Sequence, residues 1–219
     1  MNKNNAFLFD LNGTMIDDMH YHLDVWYNVL VNQLGAKLSR EEVKMQMYGK
    51  NDELLDRVFG AGRFTSEEMA RISHTKEVEY QTLYRPHLQL LPGLPELLNE
   101  AKNKNIKMAI GSAAIPFNID FVLDTLEIRH YFEAIVSAYD VTVSKPHPEV
   151  FLKGAQLLNA EPSSCIVFED APKGIEAAHR AGMKAVAITT LHTPDEFHDL
   201  PNILFFIKDY TDSRLSQLF

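Results

Sequence analysis

The chain has 219 residues, of which 46% are hydrophobic and 23% charged, and its formal net charge is -9. That length fits one large domain or a core with a smaller insertion, and it suffices to bury a sizeable core. The acidic balance argues against a nucleic-acid binder, which needs basic surface to displace counterions. No segment is apolar over the ~20 residues that a bilayer span requires, so no membrane partner is expected either. An anionic small substrate stays open, because a local basic pocket is enough to hold one. The single cysteine, Cys165, permits no intramolecular disulfide, which suits a reducing, cytoplasmic location. Met1–Asn5 leads straight into an apolar run and carries no signal-peptide core. There are no internal repeats.

Ala6-Phe7-Leu8-Phe9 is short, wholly apolar and ends at Asp10, which predicts a buried parallel strand. The region from about Met15 to Arg85 has no comparable run. Leu23, Trp26, Leu30 and Leu34 form a helical stripe that stops at Gly35. Ser39 with Glu42 reads as a capping box, and Thr65-Ser66-Glu67-Glu68 as another helix start. The chain then returns near Pro86–Pro92. Strand runs recur at Ile106–Ile110, Ala134–Val136, Cys165–Phe168, Lys184–Ile188 and Ile203–Phe206. Helical patterns at Pro95–Lys104, Pro148–Asn159 and Pro172–Ala181 lie between them. Strands alternating with helices predict an α/β fold, a doubly wound parallel sheet covered on both faces. The organisation expected is a core of residues 1–15 and 87–219 with an all-helical insertion over 16–86.

Four segments carry candidate chemistry, each at the end of a predicted strand, where ligands bind in such sheets. The first is Asp10-Leu11-Asn12-Gly13-Thr14. Its carboxylate suits a metal ligand, a nucleophile or a helix cap, and an ordinary Asp–Gly turn is the plain alternative. The second is Gly111-Ser112-Ala113, whose hydroxyl and amides can hold phosphate oxygens or simply cap the next helix. The third is Ser144-Lys145-Pro146, where the lysine is either a point charge for a phosphate or a solvated turn residue. The fourth is Phe168-Glu169-Asp170-Ala171-Pro172-Lys173-Gly174-Ile175. Adjacent carboxylates repel unless a cation lies between them, and Mg²⁺ favours such ligands; acidic residues that suit a helix dipole are the alternative. Each segment alone is ambiguous, but their order along one sheet edge is not.

In these four segments the sequence resembles the haloacid dehalogenase-like superfamily, over essentially the whole chain. The helical insertion is similar to the cap of its β-phosphoglucomutase/phosphatase-like subgroup. Asp18, Tyr21, His22 and Trp26 match that subgroup's Asp-x-x-x-Tyr-His-x-x-x-Trp pattern, with the first Asp shifted in register. The resemblance implies Asp10 as a nucleophile that forms an aspartyl-phosphate. It implies Mg²⁺ held by Asp10, the carbonyl of Asn12, Asp170 and, directly or through water, Glu169. Ser112 and Ala113 would bind the phosphoryl group, and Lys145 would neutralise charge. The cap would close and exclude water. His22 matches a cap-hinge histidine that contacts the acid/base, against a half-buried helix histidine. Lys76 falls near a substrate-contacting cap lysine, against a solvated one.

Two departures follow. Asn12 stands where the family's phosphatases and mutases carry an acid/base Asp, and an amide cannot transfer a proton; its loss costs a factor of about 10²–10⁴. It is natural, engineered, or the mark of a weakened enzyme kept for binding. In the cap loop, Gly49-Lys50-Asn51-Asp52-Glu53 lacks the Arg that mutases use for a distal phosphate, and Lys50 is the cation available to substitute. A monomeric phosphatase of small sugar-phosphate-type metabolites is therefore the leading expectation. A phosphomutase and a binding protein are alternatives. A metal-independent dehalogenase is disfavoured by Glu169-Asp170.

Overall fold

The computed structural model describes residues 5–197 and 200–219. The chain divides into two units, Met1–Asp17 with Gln89–Phe219, and Asp18–Leu88.

The first unit is built on six parallel strands: β1 (Ala6–Phe9), β2 (Lys107–Gly111), β3 (Ala134–Val136), β4 (Cys165–Glu169), β5 (Lys184–Ile188) and β6 (Ile203–Ile207). Their order is β3-β2-β1-β4-β5-β6. The chain winds outward from β1 through β2 and β3, then crosses back to β4 and winds the other way. The switch point thus lies between β1 and β4, where open α/β sheets form their crevice. All four β1 residues are buried on both faces, as a central parallel strand requires. Phe9 and Phe168 stack at 4.6 Å across the β1–β4 pair, so the two strand ends at the switch point are packed rigidly. The edge strand β6 is only partly buried.

Four helices cover the sheet: α5 (Leu94–Asn103), α6 (Pro116–Thr125), α7 (Glu149–Leu157) and α8 (Pro172–Arg180). α6 was not among the helical patterns read from the sequence, where a helix after Ser112 stood only as the alternative use of its hydroxyl. It starts with Pro116 in its first turn, the favoured place for proline, but its apolar residues run nearly all round and give no clean stripe. α7 lies close on β1 because Gly154 faces it. A Cβ at Gly154 would meet Leu8 Cδ2 at 2.8 Å.

The second unit has no strand among the described residues. It holds α1 (Met19–Tyr27), a π-helical stretch at Asn28–Gln33, α2 (Arg40–Gln46), α3 (Asn51–Phe59) and α4 (Ser66–Tyr84). The expected capping box of Ser39 with Glu42 is present, and the helix start expected at Thr65 also forms a capping box, with Glu68. The predicted stripe is only half buried. Trp26 and Leu30 lie inside with Val25 and Val29, while Leu23 and Leu34 are partly exposed. The wider turn of the π-helical stretch shifts the facing after Tyr27. No helix among the described residues is long and apolar enough to cross a membrane.

Candidate active site

β1 and β4 place their last residues side by side. Asp10 follows β1 and its amide donates to the Phe168 carbonyl at 3.0 Å. Glu169 ends β4, and Asp170 comes next. Asp10, Glu169 and Asp170 are all buried, and each offers a carboxylate oxygen within 4.8 Å of the others.

Lys145 enters from the loop before α7. Its Nζ donates to Asp10 Oδ1 and to Glu169 Oε1, both at 2.7 Å. Its side chain is 9% exposed, so the solvated-turn alternative does not describe it. Burial opposes the ammonium's charge, but the Asp10 and Glu169 carboxylates outweigh burial and raise it above the ordinary lysine range. Burial also drives Glu169 up, against the pull of Lys145. Asp170 is pushed well above the usual carboxylate range, first by burial and then by Glu169 and Asp10. Lys145 thus bridges two of three buried carboxylates, and burial beside the other two makes a charged Asp170 costly. That donor set, all hard oxygen, fits a divalent cation.

Three residues shape this centre beyond those read from the sequence. Thr14 is fully buried and its Oγ1 donates to Asp170 Oδ1 at 2.9 Å. Glu169 Oε2 accepts from the Ala171 amide at 2.6 Å. Gly174, in the first turn of α8, leaves the space that the Glu169 carboxylate fills. Thr14 and Gly174 stood inside the recognised segments, but only their three-dimensional neighbours give them a role.

Ser112 follows β2 and is 2% exposed. Its Oγ accepts from the Ala114 amide at 3.2 Å. It therefore turns the loop before α6, whose own N-cap is Ile115. Ala113 beside it is half-buried, as is Asn12, whose backbone bridges to Ile16.

The cap-type residues sit in the second unit. Lys76 is 1% exposed, which excludes the solvated reading. Its Nζ donates to Glu77 Oε2 at 3.0 Å and lies 2.7 Å from His22 Nδ1. His22 is buried, with Nε2 3.3 Å from Asp18 Oδ2, and its ring stacks on Tyr80 at 3.8 Å. The Tyr80 hydroxyl donates to Asp18 Oδ2 at 2.5 Å. Asn51 Nδ2 donates to Glu77 Oε1 at 2.8 Å, which ties the Gly49–Lys50 loop to α4. Burial lowers the Lys76 ammonium, opposed by Glu77. By strict spacing the Asp of the Tyr-His pattern is Asp17, which is exposed; the structure buries Asp18 instead.

A doubly wound parallel sheet with an acidic centre and a bridging lysine at its switch point defines a class of α/β enzyme. A model of the family described as haloacid dehalogenase-like hydrolase matches residues 7–188, and the chain belongs to that family, in its β-phosphoglucomutase-like subgroup. It is 34% identical over 189 residues to a β-phosphoglucomutase of Bacillus subtilis, covering 84% of this chain and 82% of that protein. It is 29% identical to hexitol phosphatase A of Escherichia coli, over 95% of this chain and 94% of that one. A crystal structure of β-phosphoglucomutase from Clostridium difficile superposes with a TM-score of 0.83 at 29% identity, covering 97% and 95% of the two chains.

Proposed function

We propose that this chain is a Mg²⁺-dependent phosphatase of small sugar-phosphate-type esters, working through an aspartyl-phosphate on Asp10. The observation that carries the reading is Lys145, held between Asp10 and Glu169 with Asp170 beside them. Asp10, Glu169, Asp170 and the carbonyl of Asn12 would hold Mg²⁺, which supplies positive charge to the phosphate oxygens. The relatives named as sugar-alcohol phosphatase and sugar phosphomutase support the substrate class.

An Asp10 carboxylate oxygen attacks phosphorus, and the bond from phosphorus to the ester oxygen breaks. The alkoxide leaves and takes a proton from solvent water, because Asn12 has none to give. Water then attacks phosphorus, the bond to the Asp10 oxygen breaks, and inorganic phosphate leaves with the water's proton while the Asp10 carboxylate is restored. Lys145 holds the Asp10 carboxylate in place and offsets its charge as the phosphate approaches. The Ser112 hydroxyl and the Ala113 amide bind the transferring group. Phosphoryl transfer needs positioning and charge neutralisation above all, and these residues supply both. His22, Gly49, Lys50 and Lys76 are assigned to the substrate side through the helical insertion.

Asn12 sets the rate. Its amide gives the leaving alcohol no proton, so turnover is fast only for esters whose leaving group needs none. The test is a panel of esters with the unmodified chain and Asn12→Asp, with and without Mg²⁺. Asn12→Asp is expected to raise turnover of sugar phosphates by about 10²–10⁴-fold, with much less change for p-nitrophenyl phosphate. An equal response of both ester types, or Mg²⁺-independent turnover, would refute the assignment. Asn12 also favours a second reading, a protein that binds phosphate esters without turning them over. Trapping of beryllium trifluoride on Asp10 separates the two, since it requires a competent nucleophile.

A further inference from the structure

Two hydroxyl groups from outside the four recognised segments hold the turn that carries Thr14. Thr190, just after β5, donates from Oγ1 to the Gly13 carbonyl at 2.5 Å. Tyr210, after β6, is 5% exposed, and its hydroxyl donates to the Thr14 carbonyl at 3.0 Å. Thr14 in turn donates to Asp170. A hydrogen-bonded path therefore runs from the Tyr210 hydroxyl through one residue to the Asp170 carboxylate of the acidic cluster.

Tyr210 is itself fixed on several sides. Its amide donates to the Pro92 carbonyl at 2.9 Å. Its ring lies 5.7 Å from Phe168, the residue before Glu169. Its backbone presses on Gly93, where a Cβ would meet Tyr210 C at 2.4 Å and Thr211 N at 2.7 Å. Next to this contact, the Leu91 amide donates to the Met15 carbonyl at 2.9 Å. The residues that precede and follow the 18–88 insertion are thus clamped beside the acidic centre. A phenylalanine would fill the ring's space equally well, so the hydroxyl's use is the Thr14 carbonyl.

We propose that Tyr210 is a positioning residue for the cation centre: its hydroxyl fixes Thr14, and Thr14 aims the Asp170 carboxylate at the ion shared with Asp10 and Glu169. This inference rests on the reading of that cluster as a Mg²⁺ site. Groups that orient a metal's ligands typically change metal affinity by about 10–100-fold when removed.

The test is calorimetric titration of the full chain with Mg²⁺, alongside urea denaturation of the metal-free proteins. Tyr210→Phe is expected to weaken Mg²⁺ binding about tenfold, and Thr14→Val at least as much. The double variant should bind no more weakly than Thr14→Val alone, because both changes break one path; independent sites would instead add. Thr14→Ser, which keeps the hydroxyl, should retain affinity, and it tests the path even if Tyr210→Phe folds poorly. Tyr210→Phe with lowered stability but an unchanged Mg²⁺ dissociation constant would overturn the proposal, as would additive losses. If the unmodified chain binds no Mg²⁺, the reading of the cluster fails first, visible before any variant is made, and this inference falls with it.

Discussion

Gly174 sets helix propensity against the geometry of the site. It occupies the first turn of α8, and its φ does not lie in the left-handed region. Propensity alone therefore predicts that Gly174→Ala stabilises the protein by about 1 kcal/mol. The structure predicts the reverse. A Cβ there would lie 1.8 Å from Glu169 Oε1, 1.9 Å from Cδ and 2.4 Å from Oε2. Ordinary contact begins near 3.4 Å, so the carboxylate must retreat by roughly the 1.6 Å difference. That motion breaks its bonds to Lys145 Nζ at 2.7 Å and to the Ala171 amide at 2.6 Å. Hydrogen bonds to charged groups contribute about 1.5–3 kcal/mol each. Losing both outweighs the propensity gain and leaves a net loss of about 2–5 kcal/mol. Urea denaturation of the metal-free protein reads the stability, and Mg²⁺ titration reads the site. In a Glu169→Ala background the clash is gone, and Gly174→Ala should then be neutral or stabilising. A Gly174→Ala protein as stable as the unmodified one, with the same Mg²⁺ affinity, would refute the packing argument.

Lys76→Met should cost about 3–5 kcal/mol, because it strands the buried Glu77 carboxylate. Lys76→Met with Glu77→Gln should recover much of that loss in urea denaturation, and simple additivity would contradict the pairing. Cys165 is buried, and burial pushes its thiol up to about 11 from 9.0. Iodoacetamide should leave it unmodified in the folded chain at pH 8 and label it once urea unfolds the protein. Because the folded thiol holds its proton more tightly than the unfolded one, this group's contribution to stability falls as pH rises from 9 to 11. Denaturation midpoints across that window, compared with Cys165→Ala, check the sign. Mg²⁺ should raise the thermal midpoint of the unmodified chain by relieving the three buried carboxylates, and Asp170→Asn should reduce that shift.

The strands were legible because a central parallel strand needs both faces apolar. Ala6–Phe9 and Cys165–Glu169 show this in a few residues, and the acidic residues stand directly at their ends. The capping boxes were legible for a similar reason, since Ser39 and Thr65 act within one turn of chain. α6 was less so, because buried Asn118 and exposed Phe117 interrupt the alternation of apolar and polar faces that sets a helical period. Lys76 was illegible for a different reason. A lysine reads as solvated until the carboxylate that neutralises it, the histidine 54 residues away and the aromatic rings over its Nζ are known. Tyr210 and Thr190 reach the Gly13–Thr14 turn from 196 and 177 residues along the chain, and no local pattern encodes such a contact.

Asn12 gains a further meaning from the charge at the centre. Three carboxylates face one lysine, and burial has already raised Asp170 well above its ordinary range. A carboxyl group at position 12 would add a proton that can be given and taken back, which is what a general acid/base needs. Asn12 puts there an amide that has no proton to exchange. An amide adds no fourth negative charge, so cation and phosphate binding are left intact or strengthened. A chain built this way holds its substrate well and is slow where a proton must move, at the departure of a poor leaving group and at the activation of the attacking water. Asn12→Asp should therefore separate binding from turnover, raising kcat for sugar phosphates while KM stays level or rises.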